Sequence, residues 1–243
     1  MGEPGCSPEL ADLSDARSAL LGGLLGNLVG TPVRCAEAFY DVPGVDLFPE
    51  ELALVGRAVE KRRREFTTVR ACARQALADL GRPPSPLLHD ARGAPLWPAG
   101  IVGSLTHCAG FRGAAVAESC IVRSLGVDAE PNAPLPDGLL ETVAQPDEIS
   151  MLRRLPHAGG HAWDRLLFSA KESVYKTWYP LTGLWLGFED ARISISMTGT
   201  FEARFLVDGP VVDASRVDQL FGRWAARRGL LVTAIALPAA SSS

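Results

Sequence analysis

The sequence of 243 residues has little of what marks a membrane, disulfide-stabilised or nucleic-acid-binding protein. The most apolar early stretch, residues 19–33, is too short to span a bilayer and is interrupted by glycines, Asn27 and Pro32. The five cysteines are widely spaced without a Cys-x-x-Cys pair, so neither a zinc motif nor a disulfide framework is indicated. With 24 basic against 28 acidic residues, no polybasic arm organises the chain. The composition therefore predicts a cytoplasmic globular protein that binds neither membrane nor nucleic acid.

Lysine is scarce as well. The chain has three lysines, Lys61, Lys171 and Lys176, while arginine occupies nearly every other basic position. A lysine ammonium is a compact point charge that suits a phosphate group. The segment that contains two of the three lysines is therefore a candidate for chemistry.

The hydrophobic pattern predicts helices followed by strands, and this order occurs twice along the chain. Pro49 and two acidic residues are typical of a helix start, and Gly81 of a helix end. We expect the main helices over residues 62–80 and 163–178, the second ending at Pro180. Strands are expected at residues 101–106, 113–117, 121–129, 191–197, 201–207 and 230–237. This pattern predicts an α+β fold with two related halves that divide near residues 127–135.

Asp128 and Glu130 lie two residues apart at the end of an apolar strand, so their carboxylates point to the same side of the sheet. If the strand end is solvated, the pair needs no partner. If it is shielded from water, mutual repulsion of roughly 2–3 kcal/mol demands a cation. Two oxygen donors suit Mg²⁺ better than zinc.

The helix over residues 163–178 places Lys171, Glu172 and Lys176 away from its apolar stripe. Glu172 and Lys176 have the spacing of a favourable helical ion pair, worth ~0.3–0.5 kcal/mol if it is only a surface contact. The alternative is a phosphate-binding site.

His107 lies at the end of a predicted strand, and Arg63, Arg70 and Arg74 form a cationic stripe on the helix over residues 62–80. A single histidine is often a hydrogen-bonded structural residue, and an arginine stripe is often a solvated face. Together they could form an anion pocket.

Four segments in this order resemble the 4′-phosphopantetheinyl transferases of the surfactin and enterobactin synthetase type. The likeness is greatest to the actinobacterial members that serve polyketide, fatty-acid and nonribosomal peptide synthases, and it covers about residues 45–237. The segments are RRREFTTVR (62–70), WPAGIVGSLTH (97–107), GVDAE (126–130) and WDRLLFSAKE (163–172) with Lys176.

The resemblance implies a pseudo-twofold monomer whose halves each contain a small antiparallel sheet with packed helices. Residues 1–44 would form an N-terminal cap, residues 45–127 the half that binds coenzyme A phosphates, and residues 128–243 the half with the metal and the catalytic helix. The implied reaction moves the 4′-phosphopantetheine of coenzyme A onto a serine of an acyl or peptidyl carrier protein and releases adenosine 3′,5′-bisphosphate.

The resemblance also implies roles for individual residues. Asp128, Glu130 and Glu172 would hold Mg²⁺, with Mn²⁺ as a possible substitute. Glu172, Lys171 and Lys176 would be catalytic, and both lysines would also steady the phosphates. The remaining coenzyme A contacts would be Arg62, Arg70, His89, Asp90, Ala91, Arg92, Thr106 and His107; helical spacing alone favours Arg63 over Arg62 as the partner of Arg70.

Two alternative functions stay open. A Mg²⁺-dependent hydrolase of a nucleotide pyrophosphate would use the same carboxylates with water as nucleophile. A non-catalytic module that binds coenzyme A or a carrier protein would leave the carboxylate set and Glu172 without a role.

Overall fold

The computed structural model describes residues 23–156 and 159–240, which form an α+β fold of two main antiparallel sheets with packed helices. The predicted fold class is confirmed. The helices are α1 (Leu24–Val29), α2 (Pro49–Val55), α3 (Glu60–Ala78), α4 (Leu140–Val143), α5 (Pro146–Leu152) and α6 (Trp163–Thr182), with a 3₁₀ turn at Phe188–Asp190. The strands are β1 (Arg34–Ala38), β2 (Ile101–Cys108), β3 (Phe111–Glu118), β4 (Val122–Pro131), β5 (Ala191–Ser196), β6 (Thr200–Phe205), β7 (Val211–Val212), β8 (Ser215–Arg216), β9 (Gln219–Arg227) and β10 (Leu230–Pro238).

The N-terminal sheet has the strand order β1-β3-β2, and α3 packs on it through an apolar face that includes Ala73, Ala76 and Leu77. The edge strand β1 lies in the segment predicted to form an N-terminal cap, residues 1–44, and it pairs with β3 along its length. Its sequence, RCAEA, has no β-branched or aromatic residue, so it lacks an ordinary strand signal. Residues 1–22 of that predicted cap lie outside the described residues.

The C-terminal sheet has the order β4-β10-β9-β6-β5, and α6 packs across β4 and β10. Strand β9 was not predicted, because charged side chains and Gly222 interrupt its apolar positions. All of β4 belongs to this sheet, so the predicted domain boundary after residue 127 falls within a strand that pairs with β10 on both sides of it. The two halves are therefore divided at the turn between β3 and β4.

The two sheets meet where β2 runs beside β4. The Ser104 hydroxyl accepts the Val127 amide at 3.0 Å, and the Thr106 hydroxyl accepts the Ala129 amide at 2.9 Å. Both hydroxyls are buried. Side chains thus replace the backbone ladder at this contact, which we call the seam, and they satisfy amides that would otherwise be buried without partners.

Helix α6 continues past Pro180, which was expected to end it, and stops at Gly183 in the left-handed conformation. Pro180 removes one backbone donor, but the helix continues for only two more residues. Its last hydrogen bond runs from the Gly183 amide to Tyr179 O at 2.8 Å. Among the described residues, no helix combines the length and apolar character needed to cross a bilayer.

Gly126 allows the close packing of α6 on β4. A Cβ atom at this position would overlap the carbonyl oxygen of Ser173 on the helix. The glycine of the GVDAE segment therefore lets the strand carry Asp128 directly beneath α6.

Candidate active site

A cleft of about 1010 Å³ lies between the two halves. The N-terminal half contributes basic side chains and the loop that follows α3, and the C-terminal half contributes one face of α6. The predicted site residues that line the cleft are Arg62, Arg70, His89, Asp90, Arg92, His107, Glu172 and Lys176. Residues from segments far apart in the sequence are thus brought together.

The basic end of the cleft is built on α3 and on the end of β2. The Arg62 guanidinium lies 2.6 Å from His107 Nε2, so Arg62, as the motif implied, is the arginine beside the histidine. Burial and the nearby Arg62 lower the pKa of His107, which favours a neutral ring that accepts this hydrogen bond. Arg70 donates to Leu87 O at 2.9 Å, and burial lowers its pKa to about 10. This end of the cleft is suited to bind phosphate groups.

The loop over residues 89–94 is shaped by Asp90. One carboxylate oxygen accepts the amides of Arg92 at 2.9 Å and Ala94 at 3.0 Å, and the other accepts the Tyr179 hydroxyl at 2.6 Å. The hydrogen bond from Tyr179 lowers the pKa of Asp90. His89 bonds the carbonyl of Asp90, and Ala91 lies exposed in the turn.

Asp128 is 5% exposed and lies where β4 meets α6. Its Oδ1 is 2.8 Å from Lys176 Nζ and 3.4 Å from the Thr106 hydroxyl, and its Oδ2 accepts the Ser169 hydroxyl at 2.8 Å. Thr106 was expected to contact coenzyme A, but its buried hydroxyl is engaged with Asp128 and β4. The threonine side chain therefore belongs to the seam.

Glu130 and Glu172 complete the carboxylate cluster, by which we mean Asp128, Glu130 and Glu172. Glu130 pairs with Arg165 at 3.0 Å, whereas Glu172 accepts no hydrogen bond from any residue in the described part of the chain. Burial, and then the charge of Asp128, raise the pKa of Glu130. Burial raises the pKa of Glu172, and Asp128 adds to the shift against the opposing effect of Lys176. Burial is therefore the main reason that both glutamates hold their protons more tightly than an ordinary glutamate.

The carboxylate cluster has the donor chemistry of a magnesium site, because every donor is a hard oxygen ligand. Within residues 23–156 and 159–240, no three His, Cys, Asp or Glu side chains stand close enough to form a metal site. Lys176 and Arg165 contact two of the carboxylates instead. Mg²⁺ commonly binds one or two protein carboxylates and completes its shell with water and substrate phosphates, so this donor set fits the ion without a preformed cage.

Comparison with known proteins agrees with this arrangement. Residues 50–117 match the model of the 4′-phosphopantetheinyl transferase N-terminal domain, and residues 124–232 match that of the 4′-phosphopantetheinyl transferase superfamily. The chain is 59% identical over 207 residues to 4′-phosphopantetheinyl transferase Svp of Streptomyces mobaraensis, which covers 83% of this chain and 84% of Svp. The chain belongs to the 4′-phosphopantetheinyl transferase superfamily.

Two further relatives match this chain over nearly the whole of their own length. Identity is 49% over 223 residues to the transferase PptT of Mycobacterium tuberculosis, covering 90% of this chain and 98% of PptT. Identity is 44% over 222 residues to the transferase Npt of Nocardia iowensis, covering 88% and 99%. The predicted family and the prediction of a phosphopantetheinyl-transferring enzyme are confirmed.

Lys171 is not brought into the cleft of this transferase. Its ammonium pairs with Glu148 at 2.8 Å and donates to the carbonyls of Phe188 and Ala191 at 2.6 and 2.9 Å. Its side chain is 2% exposed, because this face of α6 packs against α5 and β5. Lys171 was expected to contact a phosphate, but it forms a buried ion pair instead. Burial lowers the pKa of its ammonium group.

Helix α6 also carries a hydroxyl stripe that was not predicted, formed by Ser169, Ser173 and Thr177. These three buried residues recur at every fourth position, a signal visible in the sequence. Ser173 and Ser169 both bond the Thr233 hydroxyl of β10, at 2.7 and 2.9 Å. Because Ser169 in turn donates to Asp128, the stripe orients that carboxylate.

Proposed function

We propose that this transferase moves the 4′-phosphopantetheine of coenzyme A to a serine of acyl or peptidyl carrier proteins in a Mg²⁺-dependent reaction that releases adenosine 3′,5′-bisphosphate. The observation that carries the proposal is that one cleft is lined by basic groups of the N-terminal half and by Glu172 and Lys176 of the C-terminal half, with Lys176 in contact with Asp128. Phosphoryl transfer depends on positioning and charge neutralisation, and this arrangement offers both.

The basic side chains bind the phosphates of coenzyme A in this proposal. Arg62, Arg70 and His107 hold phosphate groups at one end, and the loop over residues 89–92 lies against the adenosine end. Lys176 steadies charge beside the carboxylate cluster, which its contact with Asp128 supports. Lys171 has no direct part, since its donors are already engaged in the protein interior.

Asp128, Glu130 and Glu172 would hold Mg²⁺, or Mn²⁺ in its place. When bound, the ion supplies positive charge against the pyrophosphate. Ser169 and Thr106 hold the Asp128 carboxylate in one orientation.

Glu172 receives the proton of the incoming serine. Its carboxylate accepts no hydrogen bond from the described residues, and its raised pKa makes it a better base than an ordinary glutamate. The serine oxygen forms a bond to the phosphorus that carries the pantetheine arm. The bond from that phosphorus to the oxygen of the adenosine-linked phosphate breaks, and adenosine 3′,5′-bisphosphate leaves with the electron pair.

The proposal includes a cytoplasmic monomer that serves carrier domains of polyketide, nonribosomal peptide or fatty-acid synthases. One chain contributes both the basic residues and the carboxylate cluster, which supports a site that does not need a second copy. Size-exclusion chromatography with light scattering tests the oligomeric state.

Intact-mass measurement of carrier proteins, after incubation with enzyme, coenzyme A and Mg²⁺, tests the reaction. We expect one phosphopantetheine on the carrier serine, and a loss of rate of at least about 100-fold in EDTA or in Asp128→Ala or Glu130→Ala. Asp208→Ala, which removes a carboxylate that is 93% exposed, is the control and should label normally. A normal rate in EDTA or in Asp128→Ala overturns the metal assignment, and consumption of coenzyme A without carrier protein indicates a hydrolase.

A further inference from the structure

One hydrogen bond joins the loop of the N-terminal half to the catalytic helix of the C-terminal half. The Tyr179 hydroxyl, near the end of α6, donates to Asp90 Oδ2 at 2.6 Å. Across the described residues, it is the sole hydrogen bond between the loop over residues 88–96 and α6. Both partners line the cleft.

The two oxygens of Asp90 have separate tasks. Oδ1 accepts the amides of Arg92 and Ala94 and so closes the turn, while Oδ2 meets Tyr179. The backbone supports the same turn, with the Asp90 amide donating to Ala94 O at 2.9 Å. The shape of the loop is therefore set internally, whereas its position against α6 depends on Tyr179.

A second contact reinforces this attachment. The Arg92 guanidinium lies 5.8 Å from the centroid of the Tyr179 ring, within the range of a cation–π interaction. Both side chains thus pack together at the mouth of the cleft. Removing the hydroxyl would leave this weaker contact alone to hold the loop.

We propose that Tyr179 is a positioning residue whose hydroxyl holds the loop over residues 89–94 against α6 and thereby sets the affinity of the enzyme for the adenosine end of coenzyme A. The inference rests on the proposed function, in which this loop meets that end of the substrate. A loop that is already held in its binding position loses less conformational entropy when the ligand arrives.

Loss of the Tyr179 hydroxyl should affect the binding of coenzyme A and not the rate of the chemical step. Tyr179 lies two helical turns beyond Glu172, about 10 Å along the helix axis, so it is remote from the carboxylate cluster. Loss of its hydroxyl should therefore raise the KM for coenzyme A about three- to tenfold and leave kcat within about twofold, as expected for one hydrogen bond.

The test compares Tyr179→Phe with the wild-type enzyme by steady-state kinetics and by calorimetry with two fragments of the substrate. Adenosine 3′,5′-bisphosphate should bind about three- to tenfold more weakly, whereas 4′-phosphopantetheine should bind as before. Hydrogen exchange of the Arg92 and Ala94 amides should also become faster. Tyr40→Phe removes a hydroxyl from a ring that is 57% exposed outside the cleft, and it should change none of these values.

A double-mutant cycle assigns the effect to the bond itself. In an Asp90→Ala background, Tyr179→Phe should cause no further loss of affinity for adenosine 3′,5′-bisphosphate. Unchanged binding in Tyr179→Phe, additive losses in the cycle, or equal losses for both fragments would each overturn the proposal.

Arg92→Ala separates this proposal from the proposed function. If Arg92→Ala binds adenosine 3′,5′-bisphosphate normally, the loop does not meet the adenosine end, and that part of the proposed function fails together with the inference. If Arg92→Ala weakens binding but Tyr179→Phe does not, the role of Tyr179 alone is refuted.

Discussion

The two halves of this transferase differ in the charged groups that they bring to the cleft: the N-terminal half contributes Arg62 and Arg70, and the C-terminal half contributes Glu172 with Lys176. In the N-terminal half, Arg62 is a cause of the lowered pKa of His107. In the C-terminal half, Asp128 contributes to the raised pKa values of Glu130 and Glu172. Burial is the main cause of all three shifts, and these like charges add to it. The basic end of the cleft suits an anion, and the carboxylates suit a cation.

The halves also differ in the hydrogen-bonding groups that their facing strands, β2 and β4, offer to each other. Strand β2 of the N-terminal sheet offers side-chain hydroxyls, whereas β4 of the C-terminal sheet offers backbone amides. The seam is thus a set of specific bonds between unlike partners, and it places Asp128 at the boundary where Thr106 can reach it. The difference shows that the site exists only when both halves are in register.

The largest expected effect comes from removing one charge of the carboxylate cluster. Glu172→Gln should slow single-turnover transfer by at least about 100-fold while raising the thermal stability of the protein at neutral pH. The pKa of Glu172 is raised above its ordinary value of 4.5, so ionisation begins to oppose folding as the pH rises above about 4.5 and opposes it fully above the raised pKa. The stability difference should therefore vanish as the pH falls below about 4.5, where the carboxyl is protonated in both states.

Thermal unfolding between pH 4 and pH 8, with and without Mg²⁺, measures this prediction independently of activity. Mg²⁺ should raise the Tm of the wild-type protein more than that of Glu172→Gln. A normal transfer rate in Glu172→Gln would show that this carboxylate has no part in the reaction, and a lower stability at neutral pH would contradict the raised pKa of Glu172.

The next effect contrasts the two lysines of α6. Lys171→Met should lower the free energy of unfolding by about 3–5 kcal/mol, because it leaves Glu148 buried without its partner. The folded fraction should bind coenzyme A normally. Lys176→Met should weaken coenzyme A binding with a smaller loss of stability, since that side chain is 27% exposed.

Urea unfolding and calorimetric titration distinguish the two lysines, and Lys61→Met is the matched control. Lys61 is exposed, and its replacement should affect neither measurement. Weak coenzyme A binding by fully folded Lys171→Met would mean that this lysine does reach the substrate.

The smallest expected effect is a loss of stability at the seam between β2 and β4. Ser104→Ala leaves the Val127 amide buried without its acceptor, which should cost about 1–3 kcal/mol of stability and speed hydrogen exchange at Val127. Ser194→Ala, on the exposed face of β5, is the control and should be nearly neutral. If exchange at Val127 is unchanged in Ser104→Ala, then the hydroxyl does not hold the two sheets together.

Much of the fold was predictable because its signals are local. The helical spacing of Phe66, Val69 and Leu77 indicated α3, and the apolar run before Asp128 indicated β4. Strands β1 and β9 escaped prediction because β1 is short and poor in strand-forming residues, and because β9 breaks the alternating pattern, with Gly222 at an inward position and Phe221 at an exposed one. Their neighbours in the sheets, and not their own propensities, make them strands.

By itself, the sequence determined the long helices, the strand that carries Asp128 and Glu130, and the ordered motifs that resemble one family. These features depend on residues close together in the chain. Only the tertiary structure decided that Lys171 turns to Glu148, that Thr106 belongs to the seam, and that Tyr179 meets Asp90. The physical reason is that a side chain finds its partner on whichever surface packs against it. Tyr179 and Asp90 are 89 positions apart in sequence, a separation that no local periodicity records.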